Sequence, residues 1–186
     1  MNWNNHSTLS GLHAFMGASK YHWINYSDDH LIESYRNYKA AERGTELHEF
    51  AAQCIKLRQK LKGTANLANY VNDAIGFGMS PEVILYYSEY CFGTADAIKF
   101  DEKKSFLRIR DLKTGTIPAH MEQLEVYAAL FCLEYHVKPG DIGMELRIYQ
   151  NDDVLIFEPS VENIVPIMDK IIAGTKLLRG INEKEN

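Results

Sequence analysis

Two strand-like runs that each contain an acid constrain this chain more than any other feature. The runs FGTADAIKF and FLRIRDLK are rich in β-branched and aromatic residues, and the polar segment DEKKS separates them. This pattern predicts a β-hairpin over residues 92–113. Asp96 lies inside the first run and Asp111 near the end of the second, so a hairpin can bring both acids to one end of a sheet. A buried acid in an apolar strand is costly unless it is paired or bound to a metal.

Asp111 and Lys113 are two residues apart, and alternation along a strand places them on the same face as Ile109. Two interpretations stay open at this point. One is a structural salt bridge between Asp111 and Lys113. The other is a divalent cation held between Asp96 and Asp111, which removes the repulsion of two neighbouring carboxylates.

The order of predicted elements indicates a fold class. Residues 8–39 look helical in pieces. Further along we predict a helix over 41–62 that begins near Gly44 or Thr45, a shorter helix over 64–76, the hairpin, a helix over about 118–136, a hairpin formed by GMELRIYQ and VLIFEP, and a C-terminal helix over 160–178. This order is typical of an α/β protein with a mixed central sheet flanked by helices. We expect a single domain over 1–186, with a core at about 10–158.

Composition excludes some classes of protein. A net charge of −5 argues against nucleic-acid binding by bulk positive charge alone. No apolar run approaches the ~18 residues of a membrane span, and the N-terminus lacks the pattern of a secretion signal, so we expect a cytoplasmic protein without membrane association. The three cysteines are far apart and form no CxxC pair, which predicts free thiols rather than a disulfide framework, a zinc site or an iron–sulfur cluster.

Basic residues are nevertheless concentrated locally. No acid occurs between Phe50 and Asn72, and a second concentration of basic residues extends over 99–113. These residues are either solvated faces or candidates for phosphate contacts. The candidates are Lys56, Arg58, Lys60, Lys62, Arg108 and Arg110.

Two helices contribute further polar candidates. His48 lies in GTELHEF, where a histidine is either a surface or core residue or a metal ligand. Gln123 and Tyr127 in QLEVY are four residues apart and therefore share a helical face. For these two, ordinary packing of the tyrosine and solvation of the glutamine are the alternative to a role in a site.

Four short motifs occur in order along the chain: GxxxH at 44–48, GxxD at 93–96, DxKTG at 111–115 and QxxxY at 123–127. In this order they resemble the PD-(D/E)XK nuclease superfamily, specifically its RecB-like exonuclease branch. The resemblance covers roughly residues 10–150. It implies a restriction-endonuclease-like core, without the iron–sulfur cluster of the members that carry four additional cysteines. No P-loop of a fused helicase is present.

The resemblance also implies roles for individual residues. His48, Asp96, Asp111 and the carbonyl group of Leu112 would hold Mg²⁺ or Mn²⁺, and Lys113 would orient the attacking water or stabilise developing negative charge. Gln123 and Tyr127 would support the site and the DNA strand. One imidazole ligand tilts the preference towards Mn²⁺.

The function implied is a Mg²⁺- or Mn²⁺-dependent deoxyribonuclease in phage or bacterial DNA processing. We expect an exonuclease that acts on DNA ends or single strands, in a bacterial or phage-infected cell. Homo-oligomerisation and a phage or host recombination protein as partner are further expectations from the resemblance. The alternative is a module that keeps the nuclease fold for DNA binding or protein interaction without cleavage.

Overall fold

A computed structural model describes residues 14–115 and 118–185. The chain divides into two compact units, with the boundary between Thr45 and Glu46. The first unit includes a 3₁₀ helix, Ala18–Asn25, and the first half of helix α1, Asp28–Lys56. The predicted helical pieces are therefore present from residue 18 onward, whereas residues 8–13 lie outside the described residues. Whether 1–186 behave as one domain stays a prediction.

The second unit is built on a five-stranded sheet in the order β1-β2-β3-β4-β5. Its strands are β1 Ser80–Ser88, β2 Cys91–Asp101, β3 Phe106–Leu112, β4 Gly143–Gln150 and β5 Asp153–Phe157. Strands β3 and β4 are parallel, and the other neighbours are antiparallel. Helix α3, Glu122–Glu134, connects the parallel pair, as such a pair requires a crossover. The predicted α/β fold with a mixed sheet flanked by helices is confirmed, as are both predicted hairpins.

Helix boundaries differ from prediction at α1, α3 and α4; α3 begins at Glu122 rather than at about 118 and ends at Glu134 rather than 136. Helix α1 continues through Gly44, where we expected it to begin, and it ends at Lys56 rather than 62. Arg58 has φ 54°, and its N–H donates to the carbonyl of Ile55 while that of Gln59 donates to Cys54. This is a Schellman cap in which arginine, rather than glycine, adopts the positive φ, so the sequence does not predict it. Helix α4 extends over Val161–Glu185, beyond the predicted 178.

A second cap of the same type, at the end of helix α2, explains the glycine-rich segment GFG. Helix α2, Asn66–Gly76, is followed by Gly78 with φ 63°. The N–H of Gly78 donates to Ile75, and that of Met79 donates to Ala74. Gly78 therefore serves a helix end, where a positive φ favours glycine, in agreement with the prediction that GFG is a turn.

Apolar side chains cover both faces of the sheet. One core cluster packs Leu107 and Ile109 of β3 against α3 and Ile164 of α4. The other packs Leu112 and Tyr149 against α2 and the end of α1. Because β3 sends alternate side chains into the two clusters, it is held from both faces. This fixes the end of β3, where Asp111 and Lys113 lie.

A buried arginine network corrects the expectation that Arg108 and Arg110 contact phosphates. The side chain of Arg110 is fully buried, and its guanidinium pairs with Glu145 and lies 3.7 Å from Asp73. The Arg108 guanidinium lies over two rings, 4.5 Å from the centroid of Phe77 and 4.4 Å from that of Phe106. Both side chains stabilise the fold. Lys56, Arg58, Lys60 and Lys62 are exposed, so their role as phosphate contacts stays a prediction.

Candidate metal centre and lysine

Asp96 lies in the middle of strand β2, where burial does not alternate strictly. Ala95 and Ile98 pack in the same core cluster although they are three residues apart, whereas Ala97 packs in the other cluster. The apolar side chains here therefore do not alternate strictly between the two clusters. The carboxylate Oδ2 of Asp96 accepts a hydrogen bond of 3.0 Å from the N–H of Leu112. This bond ties the acid to the end of β3, beside Asp111.

Asp111 is the most buried acid of the site, with only 2% of its surface exposed. The Lys113 ammonium donates a hydrogen bond of 3.2 Å to Oδ1 and lies 3.0 Å from Oδ2. Oδ2 is nevertheless buried without a hydrogen bond of its own. A buried carboxylate oxygen in this condition is costly, and a cation can satisfy it.

Lys113 connects the end of β3 to helix α3. Its ammonium donates to Oε1 of Gln123 at 2.8 Å, and Nε2 of Gln123 donates to the hydroxyl of Tyr127 at 3.1 Å. Helix α3 thus contacts the lysine through Gln123, which is itself hydrogen-bonded to Tyr127 one turn further along. Gln123 is nevertheless exposed and Tyr127 partly buried, so a site role for these two residues stays a prediction beside solvation of the glutamine and packing of the tyrosine.

Gly93 allows Tyr127 to approach strand β2. A Cβ atom at residue 93 would lie only 2.9 Å from Cε1 of the Tyr127 ring. The glycine of the GxxD motif is thus required by close packing rather than by its own backbone angles.

His48 approaches the same acids from helix α1. Its Nδ1 lies 3.2 Å from Oδ2 of Asp96, and its side chain is partly buried. Ala51, Cys54 and Ile55 of the same helix are buried in the core and fix this part of α1. His48 is therefore positioned by packing one turn further along.

Sequence reasoning missed Glu82. The register of β1 and β2 places Glu82 opposite Asp96, between the pairs Pro81–Ala97 and Val83–Ala95. Glu82, His48 and Asp96 each offer a ligand atom, and these atoms lie within 4.8 Å of one another. Glu82 has φ 53°, a conformation that costs a non-glycine residue on the order of 1–2 kcal/mol. Counting back from the turn after β1 would not have found this position, because the register shifts by one residue between Tyr86 and Ser88.

The pKa values of the site reflect crowded acids. Burial raises the pKa of Asp111, repulsion from Asp96 raises it further, and Lys113 opposes both. The hydrogen bond to Asp96 raises the pKa of His48, whereas burial opposes the rise. Burial and the charge of Asp96 raise the pKa of Glu82. Excess negative charge thus lies where these side chains meet, which suits a cation.

The donor set fits a divalent cation. The imidazole of His48 and the carboxylates of Glu82 and Asp96 lie close enough to share one ion, and the buried Asp111 has a carboxylate oxygen without a hydrogen bond. Carboxylate oxygens suit Mg²⁺ and Mn²⁺, and the imidazole favours the transition metal. The expected contribution of the Leu112 carbonyl stays a prediction, since the described contact of Leu112 is through its N–H.

Comparisons with known proteins add no family to these findings. No family model matches the chain, and no curated protein and no solved structure matches it significantly. Among the helices of the described residues, none has the length and apolar character needed to cross a membrane.

Proposed function

We propose that this protein is a metal-dependent nuclease that hydrolyses DNA phosphodiester bonds. The observation that carries the proposal is the buried, incompletely hydrogen-bonded carboxylate of Asp111, which lies against Lys113 and beside Asp96. A purely structural ion pair gains little from a second and a third acid beside it, because like charges repel. The same arrangement is useful when a cation and a phosphate group enter the site.

The residues divide into two groups by chemistry. His48, Asp96 and Asp111 would hold Mg²⁺ or Mn²⁺, which when bound neutralises phosphate charge and makes water more nucleophilic. Lys113 lies on the other side of Asp111, fixed by the Asp111 carboxylate and by Gln123. From this position the ammonium orients the attacking water or stabilises the negative charge that develops on the phosphoryl oxygens.

Gln123 and Tyr127 would position the lysine and contact the DNA strand. The Gln123 carbonyl accepts from Lys113 and its amide donates to Tyr127, so the glutamine fixes the direction of the ammonium. The Tyr127 hydroxyl accepts the amide hydrogen and keeps its own hydrogen to donate to a phosphate oxygen. Neither residue needs to change protonation state, so we assign both to positioning.

The setting that we propose follows from the substrate. A nuclease of this kind acts on DNA ends or single strands in the cytoplasm of a bacterium or a phage-infected cell. Homo-oligomerisation, or association with a phage or host recombination protein, would keep it on its substrate.

The test is cleavage of end-labelled linear DNA and of circular DNA, single- and double-stranded, with Mn²⁺, Mg²⁺ or EDTA. We expect metal-dependent loss of linear DNA, and we expect Asp111→Ala and Lys113→Ala to lower the rate by at least about 100-fold. Lys104→Ala, in the exposed turn between β2 and β3, is the matched control and should cleave normally.

The substrate arms separate the remaining alternatives. Cleavage of circular DNA would indicate an endonuclease, and a matched RNA substrate would reveal a ribonuclease. If the intact protein cuts nothing with any metal, the proposal is wrong, and the non-catalytic DNA-binding or protein-interaction module becomes the better description.

A further inference from the structure

Glu82 belongs to none of the four motifs, yet its carboxylate meets the site. It lies on β1, opposite Asp96 in the ladder of β1 and β2. One ligand atom from each of Glu82, His48 and Asp96 falls within 4.8 Å of the other two. Three elements, β1, α1 and β2, therefore converge through these side chains.

The surroundings of Glu82 do not otherwise account for this position. Its side chain is exposed, and within residues 14–115 and 118–185 it forms no salt bridge with a lysine or arginine. It occupies a positive φ of 53° and faces Asp96, whose charge repels its own. The repulsion opposes folding of the metal-free chain. The charges of His48 and Lys56 offset part of it, and a bound cation would relieve it further.

A separate observation points to a ligand at the same place. Asp111 is buried, with only 2% of its surface exposed. One of its carboxylate oxygens has no hydrogen bond. The Lys113 ammonium lies 3.0 Å from this oxygen, and the charge of Asp111 also acts on Asp96 and His48. Asp111 therefore adds negative charge to the surroundings of the group that contains Glu82.

We propose that Glu82 supplies a carboxylate oxygen to the divalent cation, together with His48, Asp96 and Asp111. This inference rests on the proposed nuclease function and adds a ligand from β1, the strand at the edge of the sheet. One nitrogen and three carboxylate donors form a set that favours Mn²⁺ over Mg²⁺. Because Glu82 is the exposed member, it also stands where a phosphate group would arrive.

The test measures Mn²⁺ binding directly, by titration calorimetry of the whole chain without DNA. Glu82→Gln keeps the shape of the side chain and removes its charge, and we expect it to weaken Mn²⁺ binding by about tenfold or more. The matched control is Glu49→Gln on α1, an exposed acid whose charge also reaches Glu82. This control should change the affinity by less than about twofold, because an exposed charge is screened.

Thermal unfolding separates a ligand from a structural residue. In EDTA, Glu82→Gln should unfold at the same temperature as the wild type or higher, because one of the crowded acids is gone. Added Mn²⁺ should then raise the unfolding temperature of the wild type by more than that of the variant. If the glutamine variant fails to fold, Glu82→Gly replaces it, because glycine adopts the positive φ without strain and also removes the carboxylate.

Each outcome decides the question. If the wild type binds Mn²⁺ and cleaves DNA, and Glu82→Gln binds Mn²⁺ equally well, the role of Glu82 is overturned and the nuclease proposal stands. Equal losses in Glu82→Gln and Glu49→Gln would assign the effect to long-range charge, and a lower unfolding temperature in EDTA with unchanged affinity would assign Glu82 a structural role. Both results contradict the inference. A wild type that binds no Mn²⁺ and cuts no DNA overturns both proposals together.

Discussion

Replacing Asp111 by asparagine should stabilise the metal-free protein while it abolishes cleavage. In the wild type the Asp111 carboxylate is 2% exposed, one of its oxygens has no hydrogen bond, and Asp96 repels it. The asparagine side chain has nearly the same shape, carries no charge, and keeps an oxygen that can accept from Lys113. We therefore expect removal of the buried charge to be the main effect of the substitution on stability.

The expected magnitude follows from the environment. A buried acceptor without a hydrogen bond costs roughly 1–3 kcal/mol, although here the Lys113 ammonium lies 3.0 Å from the oxygen concerned. The loss of the contact with Lys113 offsets part of the gain, by about 1 kcal/mol or less, because the lysine is partly exposed and keeps its bond to Gln123. The net gain is about 1–2 kcal/mol. For a chain of this size it raises the unfolding temperature by roughly 2–8 °C.

The assay is thermal and urea unfolding in EDTA, with Glu102→Gln in the exposed turn between β2 and β3 as the control for loss of one acid. The pKa of Asp111 is raised in the folded state, so its unfavourable contribution is present at neutral pH and disappears as the pH falls through that raised pKa. The difference between wild type and variant should therefore shrink on acidification. A less stable Asp111→Asn at pH 7 would refute the reasoning and make the ion pair with Lys113 a net stabilising contact.

Three further outcomes follow from the structure. Gly93→Ala should lower the free energy of unfolding by about 1–3 kcal/mol in urea, because the added Cβ would lie 2.9 Å from the Tyr127 ring. The control Gly76→Ala should not, because a Cβ there meets nothing within 4 Å. Arg110→Ala should cost roughly 2–5 kcal/mol in the same assay, because it empties a fully buried site, although Asp73 and Glu145 keep their pairs with Arg147. His48→Gln should lose more stability at pH 5.5 than at pH 8.5 in EDTA. The pKa of His48 is raised in the folded state. The stability that the wild-type histidine contributes is therefore complete below the unfolded pKa of about 6.5 and is lost as the pH rises through the raised value.

Elements with strong local patterns could be predicted from sequence. The hairpin of β2 and β3 was predictable because apolar, β-branched runs flank a polar turn, and the observed turn lies at residues 102–105. Helix α2 was predictable because the segment GFGMSP marks its end. The end of α1 was not, because Arg58 adopts a positive φ that the sequence gives no reason to expect.

The site shows the same division. The four motifs indicated His48, Asp96, Asp111 and Lys113, and the structure brings these side chains together. Glu82 could not be found in this way, because its position depends on a register between two strands and on a strained backbone. The burial of Arg110 was equally hidden, since a basic residue in a strand is usually solvated and this one has its acids on β4 and α2.

The contact between Gly93 and the Tyr127 ring has a consequence for how such a chain can change over time. Any side chain at residue 93 displaces the ring, and the ring is joined through one amide to the ammonium of Lys113. The two positions are therefore free to vary only as a pair: a larger residue on β2 demands a smaller one on α3, and the amide then loses its hydroxyl acceptor. A sequence that departs from glycine here should also have departed from tyrosine, and should have found another way to hold its lysine.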